Sequence, residues 1–85
     1  MPYIKRDRRP VFDARALQLA DNCVGAGELT YCLTAIVAKY LRRSTIDFAA
    51  YDSAIGALEC AKLELYRRKV ADYEDTKRME NGDVY

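Results

Sequence analysis

From Asp47 to Arg78 the chain runs without a proline, and apolar residues return along it at helical spacing, so the stretch is predicted to form one long helix. Asp47 is placed to cap it, because an aspartate just ahead of a helix accepts a hydrogen bond from the free amides of the first turn. The main stripe comprises Tyr51, Ile55, Leu58, Leu65, Tyr66 and Tyr73. Lys62 and Lys69 interrupt it, and their stems can lie along apolar surface while the ammonium groups reach water. A second stripe on another side holds Gly56, Cys60, Leu63 and Val70. Glycine inside a helix costs about 1 kcal/mol relative to alanine, so Gly56 predicts a neighbouring backbone that comes close. A long helix that is apolar on two sides cannot satisfy both against two short helices. A homo-oligomer is therefore expected, with another copy on the unmatched side.

The rest of the 85-residue chain is read as part of the same single helical domain, 1–85. Residues 1–12 hold both prolines, Pro2 and Pro10, and a run of five charges from Lys5 to Arg9, which predicts an extended basic arm. A short first helix is expected over 13–24, capped by Asp13 with Phe12 packed on Leu17, and ended by Gly25 and Gly27. The second helix, over 28–43, carries Leu29, Cys32, Leu33, Ile36, Val37 and Tyr40 on one face. Glu28 at its start and Arg42 and Arg43 at its end agree with the helix dipole, and Ser44 and Thr45 break it. After the long helix, a tail over 79–85 contains the turn signal Asn81-Gly82 and closes on Val84 and Tyr85, either as a docking plug or as a frayed end. The fold class is all-α: two short helices, one long C-terminal helix, an N-terminal arm and a C-terminal tail.

Composition narrows the function. Hydrophobic residues at 51% and charged residues at 32% describe a chain that folds. A net charge of +1 leaves no bulk field to attract nucleic acid or anionic lipid. The absence of histidine removes the usual general base and neutral metal ligand, and with them the Ser/His and Cys/His nucleophile pairs. Cys23, Cys32 and Cys60 have no CxxC spacing and fall within apolar helical patterns, so all three are expected as buried, reduced thiols. No apolar run is long enough to cross a bilayer, and the charged start MPYIKRDRRP is not followed by the apolar stretch of a signal peptide. The chain is read as cytoplasmic, with no membrane partner.

Catalytic and cofactor motifs fare poorly. Glu59 and Glu64 are five apart, which puts them on different faces of a helix, and the ExxE spacing of all-helical nucleotide pyrophosphohydrolases is missing, since Tyr31 follows Glu28 at the third position. The segment GAGE lacks the lysine and hydroxyl of a phosphate-binding loop. No metal, cofactor or enzymatic activity is expected.

Two basic clusters remain: Lys5, Arg6, Arg8 and Arg9 in the arm, and Arg67, Arg68 and Lys69 on the long helix beside Tyr66 and Tyr73. Arginine grips phosphate through a planar fork and tyrosine offers a face for a base, so Arg6, Arg8, Arg9, Tyr66, Arg67, Arg68 and Tyr73 form a candidate site for a small anionic nucleotide. Three readings of these charges stay open: pairing with the acidic tail of the same or a neighbouring chain, ligand binding, and solvated charge. Glu64, three and four residues before Arg67 and Arg68, suits ordinary surface ion pairs. Seven tyrosines without a tryptophan favour interfaces.

The segments MPYIKRDRRP, GELTY, ALECAKLELYRRKVADYED and ENGDVY resemble a family of small uncharacterised proteins of phages, bacteria and archaea, over nearly the whole chain. The resemblance implies that both chain ends belong to the functional unit, including Arg8, Arg9, Arg67, Arg68, Asn81, Asp83 and Tyr85. By analogy with small helical phage oligomers, it also implies an accessory protein that sequesters a signalling nucleotide. The expected function is thus non-catalytic binding of an anionic ligand or a protein partner at subunit interfaces. The alternative is a nucleic-acid-binding module that uses the basic arm.

Overall fold

The structure, a computed structural model, describes residues 1–43 and 45–85; Ser44, one of the two residues expected to break the second helix, lies outside them. Helical turns account for 79% of the described residues, and no strand occurs among them. In order they are a 3-10 turn Arg6–Arg8, α1 (Pro10–Asn22), α2 (Ala26–Leu41), α3 (Phe48–Leu65), a π turn Tyr66–Val70 and α4 (Ala71–Asn81). The last three run without a break, so the long C-terminal helix of the all-α architecture is present.

The chain divides into two units, Tyr3–Ala54 and Met1–Pro2 with Ile55–Tyr85. In the first, the basic arm is not extended as expected. Residues 6–8 wind into a 3-10 turn, with Arg8 N–H donating to Lys5 O, and α1 starts at Pro10 instead of Asp13. Proline fits a helix's first position because its missing amide would have no partner there. Arg9 before it is already helical (φ −62°, ψ −38°), although a residue preceding proline usually avoids that region. Its carbonyl accepts from both Phe12 and Asp13 amides. Asp13 therefore sits inside the first turn, where its charge suits the dipole, and is not the cap.

The α1–α2 turn is set by Gly25, whose φ of +88° is open to glycine and strained for other residues. Glu28 braces this turn, its carboxylate accepting the Val24 amide at 2.9 Å. That contact ties Glu28, the last residue of GAGE, to the turn that precedes its own helix. Helix α2 begins two residues before the expected start and ends two before the expected end.

Asp47 caps α3 as expected: its Oδ1 accepts the Ala50 amide at 2.8 Å and its backbone carbonyl accepts that of Tyr51. In the second unit the helix is not uniform, because the turn Tyr66–Val70 is π-helical and the Ala71 amide reaches back to Tyr66 O. It then runs on to Asn81, about a turn beyond the expected end at Arg78, and stops at Gly82 (φ +94°). Asn81-Gly82 therefore marks the end, as the turn signal indicated.

Packing is sparse. Ala54 is the one buried hydrophobic residue among those described, and within each unit extensive contact joins neighbours in sequence, the 3-10 turn with α1 in one and the π turn with α4 in the other. The face predicted for α2 is only partly covered: Cys32 and Val37 are half-buried, while Leu29, Leu33, Ile36 and Tyr40 remain exposed. All seven tyrosines are exposed. Apart from its chain neighbours and its own helix's backbone, Gly56 has no described atom within 4 Å of where a Cβ would stand, so the close backbone neighbour expected there is not supplied by the described residues.

Candidate functional site

The π turn carries the second basic cluster. A π turn holds about 4.4 residues where an α turn holds 3.6, so it inserts roughly one extra residue and turns everything after it around the helix axis. One consequence is visible at Tyr66. Its hydroxyl donates to Glu74 Oε2 at 2.6 Å across eight residues, a separation that one α turn plus one π turn brings onto a single face. The Glu74 carboxylate, through this hydrogen bond and its charge, pushes the Tyr66 phenol above its ordinary value, with smaller contributions from desolvation and Asp75.

The arginines next to it are engaged locally. Arg67 makes a two-pronged contact with Glu64 at 2.9 and 3.1 Å, the ion pair that the spacing predicted. Arg67 and Glu64 also line a groove with Cys60, Leu63, Met1 and Pro2, so the chain's first two residues lie beside this cluster. The ring of Tyr73 is covered by Lys77, whose Nζ stands 5.7 Å from the ring centre. Tyr66 and Tyr73 are thus exposed, Tyr66 held through its hydroxyl and Tyr73 covered on its ring by Lys77.

In the other unit, Arg9 Nε donates to Ile4 O at 3.1 Å and Arg8 lies over the Phe12 ring at 5.3 Å. The ring of Phe12, the residue expected to pack on Leu17, carries the arginine on its face. Arg6 belongs to the same 3-10 turn. The structure therefore brings Arg6, Arg8 and Arg9 together in one short segment, and Tyr66, Arg67, Arg68 and Tyr73 together along one helical stretch.

The acidic tail has partners close by. Asp75 and Asp83 both face Arg78, at 3.6 and 3.9 Å, and Glu80 pairs with Lys77 at 3.1 Å. These pairs are exposed and individually weak, on the order of 0–1 kcal/mol. Asp83 also accepts the Tyr85 amide at 2.9 Å, which shapes the end of the chain into a turn while Val84 and Tyr85 stay exposed.

Two features went unseen in the sequence. A groove of about 410 Å³ is lined by Tyr40, Leu41, Arg43, Ala49, Ala50 and Ser53, with Arg43 lying over the Tyr40 ring at 5.2 Å. The i, i+3 spacing of Tyr40 and Arg43 was its only sequence signal. The other is a thiol pair. Cys23 and Cys32 are half-buried with their Sγ atoms 3.7 Å apart, and burial, the neighbouring Cys32 and the charge of Glu28 push the Cys23 thiol up from its ordinary value. Cys60, expected to be buried, is exposed.

Among the described residues, no group of three or more His, Cys, Asp or Glu is placed to hold a metal ion, and no helix is long and apolar enough to cross a membrane. No curated protein and no solved structure matches the chain. Both basic clusters, the π turn, the thiol pair and the tail as far as Val84 fall within the 1–84 span matched by the model of a domain of unknown function, DUF6899, and the chain belongs to that family.

Proposed function

We propose that the chain works as a homo-oligomeric, non-catalytic binding protein whose sites lie where copies meet. The observation that carries this reading is the surface left open. Much of the exposed side-chain surface is apolar, Leu17, Ile36, Ile55, Leu65 and all seven tyrosines included. A second copy is the partner that presents matching stripes.

The ligand we assign to the interface is a small anion, a nucleotide in particular. The π turn supports this, since such turns are uncommon and concentrate at functional sites, and this one presents Arg67, Arg68 and Lys69 in succession with Tyr66 at its start. Arg6, Arg8 and Arg9 would add charge from the same or a neighbouring copy. Arg67 would exchange its Glu64 contact for the ligand's phosphate, a trade between two charge-assisted pairs. In the form suggested by the sequence resemblance, the protein is a cytoplasmic phage or mobile-element accessory that sequesters a signalling nucleotide. Free thiols and the lack of catalytic histidine support that setting.

Native mass spectrometry of protein purified from cells tests the reading in one step, because it reports subunit number and any co-purified small molecule. A multimer carrying a nucleotide-sized adduct is expected, and the paired substitution Arg67→Ala and Arg68→Ala should remove the adduct and leave the multimer. Loss of the multimer in that variant assigns the two arginines to assembly. A multimer that binds no nucleotide from an added panel of mono- and cyclic dinucleotides refutes the ligand assignment.

A further inference from the structure

We propose that Cys23 and Cys32 are a redox-modifiable pair that closes reversibly into an intramolecular disulfide, with a low-molecular-weight disulfide of the glutathione type as the oxidising co-reactant. Their sulfurs stand 3.7 Å apart. A disulfide bond is about 2.05 Å long, so side-chain rotation and a small backbone adjustment must supply roughly 1.7 Å. The backbone on the Cys23 side can adjust. Cys23 lies just past α1 with extended geometry (φ −71°, ψ 124°), its amide split between Leu19 O and Ala20 O at 3.2 and 3.3 Å, and Gly25 follows two residues later. Cys32, by contrast, is fixed within α2.

The pair is better suited to this chemistry than to metal binding, because no third ligating residue joins it among those described. Cys60 has a different setting, exposed on α3. The exchange balances in two steps. One protein thiol, having given its proton to solvent, attacks a sulfur of the small disulfide, forms a mixed disulfide and expels one small thiolate. The second protein thiolate then attacks the protein sulfur of that mixed disulfide, closing the Cys23–Cys32 bond and expelling the second small thiolate. Two protein thiols are oxidised, one small disulfide is reduced to two thiols, and the two protons end on those thiols. Closure ties the end of α1 to α2 across the Gly25 turn.

The test incubates the full chain with glutathione disulfide, quenches with acid, alkylates in denaturant and reads the intact mass and peptide map. The expected result is a fall from three alkylatable thiols to one, a Cys23–Cys32 linked peptide, and full recovery with dithiothreitol. The Cys60→Ser variant should lose both of its thiols in the same way, which keeps the test independent of Cys60. Persistence of all three thiols, a stable glutathione adduct on Cys23 or Cys32 that never resolves, or cross-linking of copies through either cysteine overturns the proposal.

Discussion

The Tyr66 hydroxyl donates a 2.6 Å hydrogen bond to Glu74, eight residues along the same helix, because the intervening π turn brings the two side chains into line. The bond holds the phenol in its protonated form, so the folded protein binds that proton more tightly than the unfolded chain does. The sign follows from linkage. The stabilising contribution is fully present below the ordinary tyrosine value of 10.0 and disappears as pH rises through the higher folded value. An ultraviolet absorbance titration should show the Tyr66 phenol ionising above the ordinary tyrosine value. Glu74→Gln removes the negative charge and should bring the Tyr66 ionisation down. A titration unchanged by Glu74→Gln would show that the pairing does not form in solution.

Asp47 supplies the one side-chain cap that the sequence announced and the structure contains. Asp47→Ala should lower stability by about 1 kcal/mol, within the range of roughly 0.5–2 kcal/mol seen for such caps. Asp47→Asn, which keeps an accepting oxygen, should be nearly neutral. Chemical denaturation of the three proteins at one fixed concentration checks both expectations; equal losses in the two variants would mean that the carboxylate's charge, and not its hydrogen bond, matters.

Gly56 separates assembly from intrinsic helix preference. No described residue outside its own helix approaches its missing Cβ, so for an isolated chain Gly56→Ala should stabilise α3 by up to about 1 kcal/mol. If a neighbouring copy's backbone crosses there, a larger side chain separates the copies. We expect Gly56→Leu to weaken assembly at least tenfold in a dilution series followed by light scattering, with helical content by circular dichroism retained. Unchanged assembly would place the contact elsewhere on the helix.

The parts of the fold that depend on local chemistry were readable in the sequence: the Asp47 cap, the Gly25 turn and the Asn81-Gly82 stop each have a residue whose geometry demands the feature. The start of α1 was not. A proline within a run of charges signals extended chain, and only the structure shows Arg9 helical ahead of Pro10. The π turn has no residue signature either. Tyr66–Val70 contains neither glycine nor proline, and the extra residue shows itself in the Ala71 amide bonded back to Tyr66 O and in the Tyr66–Glu74 contact. At the candidate site, the sequence identified the cations and tyrosines but not their present partners. Arg67 with Glu64 follows from spacing, whereas Arg8 on Phe12, Lys77 on Tyr73 and Cys23 beside Cys32 depend on rotamers and on the path of a turn. Those are settled by packing, which periodicity does not encode.

Sedimentation velocity of the reduced protein, from low to high micromolar concentration, bears most directly on whether copies share their apolar stripes. We expect a defined multimer across that range, with folded monomer absent even at the dilute end, since Ala54 is the one buried hydrophobic residue among those described. A stable, fully helical monomer at high micromolar concentration would remove the shared interface and every site proposed to lie in it.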